Sequence, residues 1–344
     1  MAPKEPLVIT DKDQMRKWSR AARSQGKVIG FVPTMGYLHE GHLFLVREVH
    51  KHVDVVVVSI YVNPGQFSPT EDLSTYPSDF DGDIQKLMSI PGGIDVVFHP
   101  YNLYDYGNDT KKNGGVGEVG EGSDDGAVHV FFRGVSTIVT KLFNIVEPDV
   151  AVFGKKDYQQ WRVIQRMVRD LDFSIKVIGC EITHDNDGLA MSSCNVHLSP
   201  EESEKALSIN KSLLRAKSAA EDGQVHCEKL RNLVIQSITE AGGIIDYAEI
   251  VDQESLEKVE CIKGPVVFCV ATWFGSVRLI DNIEIKLKMD VDGIFKNNEK
   301  LRAMLDELKV VLMKWSSRFG LIGSGGMKWS SMGWNGVSFI VWIV

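Results

Sequence analysis

No two cysteines in this chain stand in a C-x-x-C pattern, and their total of five, at positions 180, 194, 227, 261 and 269, is odd. A disulfide framework is thereby disfavoured, and free thiols in a reducing compartment are expected. Long apolar runs are also missing, so no segment approaches the roughly 20 residues that cross a bilayer as a helix. The opening residues MAPKEPLVITDKDQMRKW lack both the apolar core of a secretory signal and the basic amphipathic character of an organelle leader. A cytoplasmic protein with no membrane partner is expected. Basic excess is absent too: 38 Lys and Arg stand against 46 Asp and Glu, a formal charge of -8. That balance argues against a nucleic-acid partner. The remaining composition, 44% hydrophobic and 24% charged, is that of a soluble globular chain, and 344 residues suffice for one large or two ordinary domains.

What is present is an alternation of strand and helix signals. Residues 27–35 (KVIGFVPTM) read as a buried strand ending in a turn. Residues 42–52 read as a helix with either Leu43, Val46 and Val49 or Leu45 and Val49 on its inner side. The run VDVVVVSIYVN (53–63) is nearly continuous in β-branched residues, as in a central parallel strand covered on both faces. Further strands are expected at 93–100, 149–154 and 174–182, with helices at 134–146 and 158–173. This order predicts an α/β fold with a doubly wound parallel sheet, whose ligands bind at the carboxyl ends of strands. Composition changes near residue 186. Residues 199–220 open as a capped helix, with Ser199 as cap, Pro200 in the first turn and acids behind it. Residues 245–285 are strand-rich. The expected domains are therefore 1–186, Rossmann-like, and 187–290, smaller and α+β. Residues 291–344 form an atypical tail, either poorly ordered or docked on the body, with a helical pattern at 296–319. KWSS occurs twice there, too few copies for a repeat architecture.

Three polar segments fall at strand ends. In PTMGYLHEGHLFLV (33–46) the first helical turn holds His39 and His42, where unpaired N–H groups and the positive dipole end suit a phosphate. Gly36 and Gly41 permit close backbone approach, and two imidazoles one turn apart can donate to phosphate oxygens. A metal site would need a third ligand, and no Cys/His cluster lies nearby in sequence. In FGKKDYQQW (153–161) a strand runs into Gly154, Lys155, Lys156 and Asp157, then into a helix carrying Gln159 and Gln160. Lysine supplies charge for a phosphate and glutamine suits a hydroxyl or carboxylate, although a solvated charge cluster explains the same residues. DGLAMSSCNVHLSPEE (187–202), with Gly188 and Ser192-Ser193, reads as a loop able to fold over a polyphosphate or as a linker. GVGEVG (115–120) fits a dinucleotide spacing, but no strand precedes it, no helix follows, and four acids stand in 118–125. It reads as a surface loop.

In this order, and together with SIYVNPGQFSPTEDLSTYPSDF (59–80), FFRGVSTIVTKLFNIVEPDVAVFGKKDYQQW (131–161) and VRLIDNIEI (277–285), the segments resemble the pantothenate synthetase (pantoate–β-alanine ligase) family, its plant members most of all. The resemblance spans about residues 7 to 286. It implies a Rossmann-like nucleotidyltransferase domain, a smaller C-terminal domain, a homodimer, and ATP with Mg2+, pantoate and β-alanine as small-molecule substrates. It implies two steps: pantoate carboxylate attacks the α-phosphate of ATP, then the β-alanine amine attacks the pantoyl adenylate. By position it implies ATP binding by Met35, Gly36, His39, Gly41, His42, Gly154, Lys155, Lys156, Asp157, Thr183, Met191, Ser192, Ser193 and Cys194. It implies pantoate and β-alanine binding by Gln66 and Gln160, and catalytic contributions from His39, Lys156 and His42, the last as proton donor. Magnesium ligands stay open, because Asp81 and Asp83 in FDGDI fit a helix start as well as a metal.

Three departures from the family pattern stand out. Its loop reads Met-Ser-Ser-Arg-Asn, and here position 194 is Cys. An arginine there would grip polyphosphate; a hydrogen bond to a charged group contributes about 1.5–3 kcal/mol, so its loss implies about tenfold to more than a hundredfold in rate. Val128-His129 replace an Arg-Pro pair before FFRG, and THDND (183–187) replaces an Arg-Glu pair before x-Asp-Gly. The alternatives to a working ligase are an impaired member that retains ligand binding or dimerisation, and another nucleotidyltransferase. The latter gives no reason for NPGQF together with KKDYQQ.

Overall fold

The computed structural model describes residues 5–67, 76–104 and 124–287, with backbone alone over 124–130. The GVGEVG stretch and the tail from 291 lie outside the residues so described, and Val128-His129 are described by their backbone alone. In chain order the elements are β1 (Leu7–Ile9), α1 (Lys12–Ser24), β2 (Ile29–Thr34), α2 (Glu40–Val49), β3 (Val55–Ile60), α3 (Phe80–Met88), β4 (Val96–Phe98), α4 (Asp124–Val146), β5 (Val150–Gly154), α5 (Tyr158–Asp170) and β6 (Lys176–Cys180). Then follow α6 (Pro200–Glu221), α7 (Cys227–Glu240), β7 (Ile244–Asp252), β8 (Val266–Phe274) and β9 (Val277–Ile285).

The first six strands form a parallel sheet in the order β1-β4-β3-β2-β5-β6. All six residues of β3 are buried. Alternate side chains explain why. Phe31, Val57, Phe98 and Phe153 face α1, α4 and α5. Val32, Val56, Val58 and Val152 face α2 and α3. Leu43, Val46 and Val49 form the buried side of α2, which decides between the two readings of that helix. The chain leaves β2 toward β3 and β4 on one side, and toward β5 and β6 on the other. Between β2 and β5 lies the switch point at which doubly wound sheets bind ligands. It sets the turn after Thr34 beside the turn after Gly154.

The last three strands form an antiparallel sheet, β7-β8-β9, with α6 and α7 on one face. Ser199 caps α6 through a capping box with Glu202, and Pro200 begins the helix. Phe268, Val270 and Phe274 pack on α6 and α7, while Val267 and Cys269 join the core of the parallel sheet with Tyr158 and Trp161. β8 is thus covered on both faces, and β9 lies close to the end of β5. All five cysteines are free. No helix among the described residues is long and apolar enough to cross a membrane.

Candidate active site

The turn after β2 is built before any ligand is considered. Gly36 has φ +89°, and a Cβ there would lie 3.0 Å from Ile60 and 3.2 Å from Asp83. Tyr37 follows at φ 50°. Asp83, 1% exposed, sends its carboxylate from α3 to accept the amides of Tyr37 at 2.7 Å and Leu38 at 2.6 Å. Burial pushes its carboxyl pKa up, against the lowering pull of those two amides. Asp83 thus holds the turn with both oxygens, and Asp81 is exposed.

His39 and His42 cap α2 reciprocally. His39 Nδ1 accepts from the Gly41 amide at 3.1 Å, and His42 Nδ1 accepts from the His39 amide at 3.3 Å. Their rings lie 4.1 Å apart. An accepting Nδ1 carries no proton, so each neutral ring is fixed as the Nε2–H tautomer. Burial, followed by the charges of Lys156 and Lys86, lowers His39 to about 4. Burial, His39 and the same lysines hold His42 well below the usual imidazole range. Gly41 is required by this packing, since a Cβ would meet the His39 ring at 2.9 Å. Its other neighbour is Met191, at 3.7 Å.

Across the switch point, Gly154 ends β5, and a Cβ there would meet only Leu45 at ordinary contact distance. Lys155 donates to Glu181 at 2.5 Å and Glu284 at 3.0 Å, and lies over Trp161. The Lys156 ammonium has no carboxylate partner among the described residues. Asp157 precedes α5 without a side-chain cap bond, and Gln160 lies in that helix's first turn. Asn282 of β9 donates to the carbonyls of Lys155 and Lys156, each at 2.8 Å.

The 183–195 loop closes a third side. Met191 N donates to Thr183 O at 3.0 Å, and Gly188 turns the chain at φ +103°. Ser192 accepts from the Cys194 amide at 3.4 Å. Ser193 donates to Tyr37 O at 3.1 Å and is hydrogen-bonded to Tyr76, whose hydroxyl burial pushes up to about 12. Cys194 packs against the C-terminal core as an apolar side chain. His184 bonds Asp281 at 3.0 Å, which raises the imidazole pKa. The protonated form is therefore favoured by folding. This contribution to stability is complete below the unfolded value of about 6.5 and is lost as pH rises through the folded one. Asp281→Asn is expected to flatten the melting temperature's dependence on pH above 6.5, read by thermal melts across that range; an unchanged slope would remove His184 as its source.

Gln66 ends a single turn of 3-10 helix, Pro64–Gln66. The cap of that turn is Asn63, 1% exposed, which accepts from Gly65 N. Asn63 Nδ2 donates to Gln66 Oε1 at 3.1 Å and Gly134 O at 3.2 Å, and Tyr104 donates to Asn63 Oδ1 at 2.8 Å. The Gln66 carbonyl oxygen is thereby engaged, and its NH2 group is the end left to meet a ligand. Tyr61 N donates to Thr34 O, so this segment departs beside the His39 turn. The turns at 35–42 and 154–157 and the loop at 191–193 converge. Direct contacts join His39 to His42, Gly41 to Met191 and Tyr37 to Ser193. Gln66 follows β3 and Gln160 follows β5, the two strands that flank β2. Asn63, Tyr76, Asp281 and Asn282 are absent from the sequence reading as site-builders, where the adjacent polar pair inside the apolar VRLIDNIEI was a signal for the last two; Asp83, read there as a magnesium ligand or a helix-start acid, instead holds the Tyr37 turn.

A model of the pantoate-beta-alanine ligase family matches residues 7–284. A Lotus japonicus pantoate–beta-alanine ligase is 70% identical over 311 residues, covering 82% of this chain and 99% of that protein. The crystal structure of pantothenate synthetase from Thermus thermophilus superposes with a TM-score of 0.72 at 36% identity, covering 81% of this chain and 99% of that one. A Francisella tularensis pantoate-beta-alanine ligase, solved with beta-gamma ATP and beta-alanine, gives 0.62 at 31% identity over 81% of this chain and 97% of its own.

Proposed function

The chain belongs to the pantoate-beta-alanine ligase family, and from that premise we propose that it condenses pantoate with β-alanine, using ATP, to give pantothenate, AMP and diphosphate. A carboxylate oxygen of pantoate forms a bond to the α-phosphorus as the bond to diphosphate breaks. The β-alanine nitrogen then bonds the acyl carbon, AMP leaves with the carboxylate oxygen, and the amine proton passes to solvent. The observation that carries this reading is the pair of neutral imidazoles, held by reciprocal caps with both Nε2–H groups available, beside Lys156. Such donors meet charge developing on phosphate oxygens without reorganising.

The other roles follow from placement. Met35, Gly36, Gly41, Gly154, Asp157, Thr183, Met191 and Ser192 line the nucleotide's path. Lys155 serves through its backbone, because its ammonium is bonded to Glu181 and Glu284. Ser193 acts by tying the loop to Tyr37. The amides of Gln66 and Gln160 bind pantoate. Magnesium enters as part of the substrate, with ATP phosphates as its chief ligands. Among the described residues no cluster of three acids, histidines or cysteines stands ready for it, and both Asp83 oxygens hold amides. Residues 1–186 form the ATP- and pantoate-binding domain and 187–290 the smaller one, in a cytoplasmic homodimer. AMP release requiring both pantoate and β-alanine tests the reading; no release at high enzyme concentration would sink it.

Position 194 sets the strength of the nucleotide grip. Cys194→Arg is expected to lower the ATP KM about tenfold, the worth of one charge-assisted hydrogen bond. Cys194 is partly exposed, so an arginine can leave the apolar surface and extend outward. Initial rates against ATP concentration check this, and an unchanged KM would mean that other donors already satisfy the phosphates.

A further inference from the structure

Asp281 and Asn282 are 3% and 8% exposed in the middle of β9. Buried polar groups cost stability unless partnered, so their partners indicate what the burial achieves. Neighbours on a strand point to opposite faces, and these two reach different segments. Asn282 Nδ2 donates to Lys155 O and Lys156 O, 2.8 Å each. Asp281 Oδ2 bonds His184 Nε2 at 3.0 Å, and its Oδ1 accepts the Asn282 amide at 2.8 Å. His184 is also hydrogen-bonded to the backbone of Ile182 and bridges to Ala190, just before Met191. Its ring thus lies between the Asp281 carboxylate and the Ile182 backbone, with the Asn210 Nδ2 group also 3.0 Å from Nε2. Asp185, and Lys156 in the crevice beside Asp281, are the other polar and charged groups around it.

We propose that Asp281 and Asn282 are positioning residues of the nucleotide site. Asn282 fixes the turn from which Lys156 extends, and Asp281, through His184, fixes the loop that carries Met191 to Ser193. The sheet ladder stops at Gly154, paired with Cys180. Beyond it the Lys155 amide is held by Cys180 O, and the carbonyls of the two lysines are held by Asn282. A turn free to rotate would swing the long Lys156 side chain away from its target, and misplacement by about 1 Å weakens such contacts severely. The proposal rests on the ligase reading only in taking ATP as the ligand.

The test is a double-mutant cycle on the ATP dissociation constant, measured by calorimetry on the full chain. Asn282→Leu removes the donor at similar volume without adding charge, and is expected to weaken ATP binding about tenfold. In a Lys156→Ala background the same change is expected to cost about twofold or less. An equal factor in both backgrounds, or no effect in either, would overturn the Asn282 assignment. Asn282→Ala, with thermal melts, replaces the leucine variant should that one not fold. For Asp281, His184→Arg is expected to preserve ATP affinity and His184→Ala to lose it; equal losses would overturn that half. The cycle reads binding alone, so it stands or falls apart from AMP release by the wild type, which tests the ligase reading.

Discussion

Changing His42 to asparagine is expected to lower the rate of adenylate formation about a hundredfold to a thousandfold while leaving thermal stability nearly unchanged. The choice of residue follows from the cap. The asparagine oxygen occupies roughly the place of the imidazole Nδ1, so the His39 amide keeps its acceptor. What disappears is the Nε2–H donor. His42→Ala removes both, and is expected to lose a further ~1 kcal/mol of stability through the missing cap. Diphosphate release and thermal melts on the two variants separate these contributions. Near-normal turnover by the asparagine variant would show that Nε2–H does not touch the reacting phosphates.

The charge state sharpens this expectation. His39 titrates at about 4 and His42 well below 6.5, because both rings are buried beside Lys156 and Lys86. Both are neutral across the physiological range, so positive charge at the site comes from the lysines. The proton-donor role that the family resemblance assigns to His42 is then hydrogen bonding through Nε2–H. Protonation carries a stability consequence of definite sign. Between pH 6.5 and 4 the unfolded chain binds protons on His39 that the folded one refuses, so stability falls as pH drops through that window.

The parts of this architecture legible in the sequence share a physical reason: each is written locally. VVVVSI announces a strand covered on both faces because the run is short, β-branched and apolar without alternation. The capped start of α6 is complete within four residues. The polar segments at 33–46 and 153–161 stand out against the strands they end. What stayed hidden depends on distance along the chain. Asp83 resembles any acid at a helix start until the fold carries it to the amides of Tyr37 and Leu38. Asn282 lies 126 residues from the Lys156 carbonyl it holds. Helix α1 escaped although its buried residues Met15, Ser19 and Ala22 follow a helical spacing, because two of the three are a serine and an alanine, which give little apolar signal.

Gly134 is the position where local and tertiary demands conflict most sharply, and Gly134→Ala is expected to raise the pantoate KM and lower kcat together, about a hundredfold in kcat/KM. Within α4, alanine should be preferred to glycine by about 1 kcal/mol. Tertiary packing reverses this. A Cβ at 134 would lie 1.8 Å from Gly65 O, 2.4 Å from Gly65 C and 2.9 Å from Gln66 N. All three are backbone atoms, so no rotamer relieves the contact, and the Pro64–Gln66 turn must retreat by about 1 Å or more, a displacement of the size that costs catalysis dearly. Asn63 moves with it, since its amide bridges Gly134 O and Gln66 Oε1. Gln66, the side chain proposed to meet pantoate, is thereby misaimed, while the histidine turn and the Lys156 turn are held by other residues. Pantoate KM should therefore rise with the ATP dissociation constant unchanged, a split that general unfolding would not produce. Equal loss of both would mean that α4 has shifted as a whole, and an unaltered pantoate KM would mean that Gln66 does not meet pantoate.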